Sequence, residues 1–161
     1  MTRPRHTGTI VVGVDRDGPH DNVVLAAALD QARHTDSVVR VVHAIAPDTA
    51  AAPIDAVTNR ERVAARHVHQ NAILADLRRY IDTDTEAVGP RLVVDFSVRH
   101  GDPATLLLWA AQHADLIVVG TRGTGHGSPL LLGTVSQDVA VHATCPVLLI
   151  PTPEPVRPRT G

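Results

Sequence analysis

The segment from Gly120 to Thr134 reads Gly-Thr-Arg-Gly-Thr-Gly-His-Gly-Ser-Pro-Leu-Leu-Leu-Gly-Thr, and it gathers the residue types best suited to holding a phosphate. Glycines lack the side chain that keeps a backbone N–H away from an anion, and they tolerate the dihedrals that aim successive N–H groups at one point. Gly133-Thr134 opens a helical pattern, and the free N–H groups and positive dipole end of a helix attract negative charge. Thr134 and Ser136 add hydroxyl donors there, and Arg122 either adds a full positive charge or points to solvent. Glycine content alone leaves a second reading open, a surface loop followed by an ordinary helix start.

Other phosphate and nucleotide chemistries fail on particular residues. All fifteen basic residues are Arg, so the Lys of a Walker-A loop and the Schiff-base Lys of a pyridoxal enzyme are both missing. Gly123-x-Gly125 is followed by Ser128 where a dinucleotide fingerprint places its third glycine. Cys145 is the only cysteine, which excludes an intramolecular disulfide or a thiolate cluster and reads as a small buried hydrophobe. His67 and His69 stand two apart on a predicted helix and share no face, so they make no metal site. His43, after an apolar strand, reads as a structural hydrogen-bonding residue. The formal net charge is −2 and the aromatic residues are Tyr80, Phe96 and Trp109, which speaks against a nucleic-acid partner. No apolar run approaches the roughly 20 residues of a membrane span, and Met1 to Gly8 lacks a signal-peptide core. A cytoplasmic protein is expected.

The elements that must position the loop alternate in kind. Strands are predicted at Thr9 to Val14, Ser37 to Ala44, Arg91 to Val98, Asp115 to Gly120 and Val147 to Ile150. Between them lie a helix marked by Leu25, Leu29 and Ala32, and a long helix from about Asp55 to Tyr80. The long helix has an expected stripe of Ala65, Val68, Ala72 and Ala75, flanked by Ile73, Leu77 and Tyr80. A third helix starts at Asp102-Pro103 and continues through Leu106, Ala110 and His113, and a fourth runs from Gly133 to His142. Pro47 to Pro53 reads as a mobile loop. Residues 9–151 form a single expected domain between flexible termini, 1–8 and 152–161. Alternating strands and helices imply an α/β fold with an open parallel sheet and helices on both faces. Flavodoxin-like strand orders are the natural candidates, with a ligand crevice where the order reverses. If the first and fourth strands meet there, Asp15 and Gly120 face one another.

Gly120, two residues, Gly123, nine residues and Gly133-Thr134 resemble the G-x2-G-x9-G-[S/T] pattern of the ATP-binding universal stress proteins. The resemblance covers about residues 9 to 151. It extends to VVGVD in the first strand, VVHA in the second, Gly101-x-Pro103, ADLIVVGTRG and CPVLLI. It implies a five-stranded parallel sheet of order 3-2-1-4-5, Rossmann-like and similar to the adenine nucleotide alpha hydrolases. It also implies a nucleotide site. Asp15 resembles the acidic residue on the ribose or adenine side, and Ala44 the residue whose backbone reads the adenine edge. Gly120 lies against the ribose, while Gly123, Gly133 and Thr134 resemble phosphate contacts. Ser136 matches a further small polar position at the phosphate end. ATP is the implied ligand, with Mg²⁺ on its phosphates and no metal site of the protein's own. Val147 to Ile150 resembles a dimer-forming edge strand, which implies a homodimer.

Two departures bear on affinity. Arg16-Asp17 follows Asp15 where many relatives carry a small pair, and Pro129 stands within the nine-residue spacer. No base with a poised water is evident and no catalytic residue is assigned, so any ATP hydrolysis is expected to be slow. A nucleotide-dependent stress or regulatory protein is the leading reading. A slow ATPase or phosphotransferase and a dimeric interaction module without nucleotide are the alternatives.

Overall fold

The computed structural model describes residues 8–15, 21–45, 59–85, 92–121 and 132–151. Nine elements alternate along them: β1 (Gly8–Gly13), α1 (Asp21–Thr35), β2 (Ser37–Ile45), α2 (Asn59–Thr85), β3 (Val94–His100), α3 (Pro103–Ala110), β4 (Leu116–Gly120), α4 (Thr134–His142) and β5 (Val147–Ile150). The strands form one parallel sheet of order β3-β2-β1-β4-β5. β1 and β4 are therefore neighbours although most of the chain separates them, and Ile10, Val11 and Val12 lie opposite Leu116, Ile117 and Val118.

The central strands are apolar on both faces because both faces are covered. On one face, Ile10, Val12, Val39, Val41 and Val118 pack with Val24, Leu25, Ala28, Leu29 and Ala32 of α1. On the other, Val11, Val42, Ile117 and Val119 meet Ala104, Leu107 and Ala111 at α3 and Val139 of α4. Full burial of one such side chain contributes about 1.5–3 kcal/mol, so the two layers hold the sheet from both sides. Gly13 lets α3 approach closely: a Cβ there would stand 3.0 Å from Leu107 Cδ1. Gly101, with φ +150°, makes the turn from β3 into α3 that a residue with a side chain would resist.

α2 differs from its expected face and runs past its expected end at Tyr80, while residues 55–58 of the expected helix lie outside the described residues. Val68 is exposed, as are Ala65, Ala72 and Ala75, while Ile73 and Ile81 are buried and Leu77 packs on the first core layer. The alanine stripe has the right period but offers little area per residue. The larger chains at 73, 77 and 81 win the inward face. Burying Ile81 also carries the helix through the polar Asp82-Thr83-Asp84 to Thr85. β3 begins at Val94 and runs to His100, later than the alternation implied, although Leu92, Val94 and Phe96 do share one core-facing side. α3 stops at Ala110, so exposed His113 falls in the following turn. The segment 47–53 and both expected flexible termini, except Gly8, lie outside the described residues.

Candidate functional site

The crevice forms at the carboxyl ends of β1 and β4, where the strand order reverses. Continuing their register past Val12 and Val118 sets Val14 beside Gly120 and Asp15 beside Thr121. The expected facing of Asp15 and Gly120 depends on β1 and β4 being neighbours, and they are.

β2 forms the third side. Its odd-numbered peptide groups turn towards β3, since Val39 N–H donates to Val93 C=O and Ile45 C=O accepts from Gly101 N–H. Its even-numbered groups turn towards β1, where Val42 C=O still accepts from Val14 N–H at 3.1 Å. Ala44, two residues further, turns its N–H and C=O to the same side, but β1 ended at Gly13. One donor and one acceptor thus face the space above the end of β1. Buried His43 holds that end in place, with its Nδ1 3.0 Å from Val14 C=O. A carbonyl only accepts, so Nδ1 carries the proton. The ring pins the residue directly before Asp15, in keeping with the structural part read for it in sequence.

The fourth side is the start of α4. Gly133 is its N-cap and supplies no side-chain hydrogen bond. The first bond of the helix runs from Gln137 N–H to Gly133 C=O, and the earlier amides belong to Thr134, Val135 and Ser136. α3 is built in the opposite way. Its N-cap Asp102 accepts from Thr105 N–H at 2.8 Å and from the Thr105 hydroxyl at 2.7 Å, and these bonds, the backbone one foremost, hold its carboxyl below the usual carboxylate range. One helix carries its own anion, and the other ends in a glycine.

Thr121 ties α4 to β4. Its N–H donates to Ile150 C=O at 2.9 Å, and its C=O accepts from Gly133 N–H at 2.7 Å. The Ser136 hydroxyl, on a buried residue, lies 3.0 Å from the same carbonyl and 3.1 Å from Gly133 C=O. The chain leaves the sheet at Thr121 and returns to it at Gly133, with both ends fastened. Ser136, read in sequence as a phosphate-end group, has its donor directed at these carbonyls. The part of Thr121 was missed, and its only trace was the serine standing three residues after the helix-opening glycine. Thr134 is exposed at the helix start. Arg122, Gly123, Asp17 and Pro129 lie outside the described residues.

Among the described residues, no group of three or more His, Cys, Asp and Glu side chains is placed to hold a metal, and no helix is long and apolar enough to cross a membrane. His67 and His69 are exposed. Cys145 is half-buried and packs beside the second core layer, and burial, with the Asp115 charge as a smaller cause, raises its thiol pKa. Two open grooves of about 530 and 550 Å³ run along β3, at the edge of the sheet and away from this crevice.

A sequence model described as the universal stress protein family matches residues 6–151. A universal stress protein of Mycobacterium tuberculosis is 30% identical over 150 residues, which cover 93% of this chain and 50% of the relative. The chain spans about half the length of the first curated relatives it matches. Among solved structures, UspA of Lactobacillus plantarum superposes with a TM-score of 0.67 at 20% identity, covering 92% of this chain and 99% of that one. A universal stress protein in complex with cAMP superposes with a TM-score of 0.62 at 24% identity, covering 91% and 98%.

Proposed function

The chain belongs to the universal stress protein family, and from that premise we propose that it holds ATP in the crevice between β1 and β4, as a nucleotide-dependent regulatory protein. The observation that carries this reading is the start of α4. Its amides are left without a side-chain cap and stand beside the fastened end of β4, whereas α3 caps itself with a carboxylate. An anion at such a position is stabilised by about 0.3–1 kcal/mol from the helix dipole, and more when partly buried. The adenine edge offers an acceptor nitrogen beside an amino donor, which complements the N–H and C=O of Ala44. Asp15 reaches the ribose side, Gly120 leaves room for the sugar, and Gly133 and Thr134 take the phosphates. Arg122 and Gly123 complete the phosphate end. Ser136 acts by fastening the loop. The solved relative with cAMP supports an adenine nucleotide as the ligand class.

Mg²⁺ rides on the phosphates in this reading, neutralising their charge. Asp15 is the one carboxylate that the described part of the crevice brings near, which suits an ion held chiefly by the nucleotide. The chain is a holder of nucleotide more than a catalyst. It has no Lys to neutralise a γ-phosphate, and hydrolysis without such a group and a positioned water is slow. A second copy pairs through β5 to give a homodimer, and the chain works in the cytoplasm.

Nucleotide released from the denatured purified protein, followed by calorimetric titration with Mg·ATP, tests the proposal. Bound adenine nucleotide or saturable heat is expected, and Gly133→Val should weaken binding by roughly a hundredfold, about 2.7 kcal/mol, by placing a branched side chain at the phosphates. No nucleotide and no heat at millimolar ATP would leave the chain as a dimeric interaction module.

A further inference from the structure

We propose that the outer edge of β3 is a docking edge for an acidic, extended segment of a partner protein. β3 pairs only with β2 among the described residues. Asp95 lies next to Val94 in the register against β2, and Val93 C=O accepts from Val39 N–H, so the odd-numbered peptide groups of β3 face inward. The even-numbered groups, those of Val94, Phe96, Val98 and His100, face outward. Gln70 of α2 donates its side-chain amide to Val98 C=O, which confirms that direction and covers this one position. Among the described residues, the N–H and C=O of Val94 and Phe96 remain as a short template for another backbone.

The charge around this template has one sign in excess. On one face Arg78 lies over the Phe96 ring, 5.7 Å from its centroid. On the other, Arg99 lies over Trp109 at 5.4 Å, and Arg40 stands 3.8 Å from Asp95. Among the described residues, three guanidinium groups thus border the groove against a single carboxylate. Stacking on a ring orients the planar fork of Arg while leaving its N–H groups outward for a carboxylate. Trp109, 58% exposed, adds an apolar platform. At the upper end, His100 Nε2 is buried with no hydrogen-bond partner among the described residues, a polar atom that a docked side chain would satisfy.

These features select the occupant. Free backbone groups call for a peptide; a nucleic acid or a lone phosphate would use the arginines and leave the template unpaired. A second copy of β3 is disfavoured because pairing the Val94–Phe96 template antiparallel to itself sets Asp95 opposite its own copy. An extended segment with carboxylates on alternate residues satisfies the backbone and, because alternate side chains share one face, sets its carboxylates against Arg99 and Arg40.

Labelled peptides of alternating Glu and Val, alternating Lys and Val, and the Glu form methylated at alternate backbone nitrogens are the probes, read by fluorescence anisotropy on the whole chain. The Glu peptide should bind roughly tenfold or more tighter than the Lys peptide, and lose affinity from about 50 mM to about 500 mM salt. Backbone methylation, Arg78→Ala with Arg99→Ala, and Val94→Pro should each weaken it roughly tenfold or more. Val94 N–H faces outward, so this proline removes no bond to β2. Circular dichroism checks that each variant is folded, and the peptide series needs no variant. Failure of the Glu peptide to bind at millimolar concentration, or equal binding of the Glu and Lys forms, overturns the proposal. Indifference to backbone methylation, with oligo-dT bound as tightly as the Glu peptide, assigns the arginines to polyanions at large and overturns it too.

Discussion

Among the described residues, β5 and β3 each have one neighbour in the sheet, so each turns alternate peptide groups outward. In β5 the inward groups are those of Pro146, Leu148 and Ile150, since Pro146 C=O accepts from Ile117 N–H and Ile150 C=O from Thr121 N–H. Val147 and Leu149 therefore face out, in a four-residue strand without a charge. In β3 the outward template is interrupted by Gln70 and bordered by Arg40, Arg78 and Arg99. An uncharged edge suits a strand of its own kind, because identical apolar strands meet without repulsion. A charged, partly covered edge rejects its own copy and favours a complementary sequence. One sheet thus offers two edges of different selectivity, with the crevice at the ends of β1 and β4 between them.

The largest effect expected from this contrast is on assembly. Leu149→Pro deletes an outward N–H and keeps the ladder to β4, and it should convert a dimer to monomer in light scattering after size exclusion. A wild-type chain that is already monomeric at micromolar concentration would remove β5 from the comparison. Gln70→Leu comes next. It uncovers Val98 C=O, and an unsatisfied, partly buried carbonyl should cost about 1–3 kcal/mol in urea unfolding, with binding of the Glu peptide at β3 rising. No loss of stability would mean that water serves that carbonyl as well as Gln70 does.

The smallest effect concerns the cap that starts α3, the helix that carries Trp109 to the β3 edge. Asp102→Ala should cost about 1 kcal/mol at neutral pH. The folded-state pKa of Asp102 is lowered by its bonds to Thr105, so this contribution is present above the ordinary carboxylate pKa and disappears as pH falls through the lowered value. Wild type and variant should converge in stability in acid. A gap that persists there would show that the cap does not act through its charge.

Much of the fold was legible in the sequence because its signals are local. β-branched runs, the Asp102-Pro103 helix start and the 25-29-32 spacing each report on a few neighbouring residues, and their order alone implies an α/β sheet. Local periodicity failed on α2, where two stripes competed. Only the depth of the sheet surface decided that Ile73, Leu77 and Ile81 would enclose it. The crevice was half legible. Asp15, Gly120 and Gly133 could be named from strand ends and glycine spacing, and Ala44 from the resemblance to the universal stress proteins. The closure of Gly133 and Ser136 on Thr121 could not, because it depends on how α4 returns to β4.

By itself, the sequence determined the alternation of elements, the absence of Lys and the glycine that begins α4, since residue identity and local dihedral preference suffice for these. The tertiary structure decided that β1 lies beside β4, that the Ala44 peptide groups look past the end of β1, and which backbone groups of β3 and β5 face outward. Those are relations between segments distant in the chain, as with Thr9 N–H and Asp115 across 106 residues. They exist only once packing both faces of the sheet has selected one strand order.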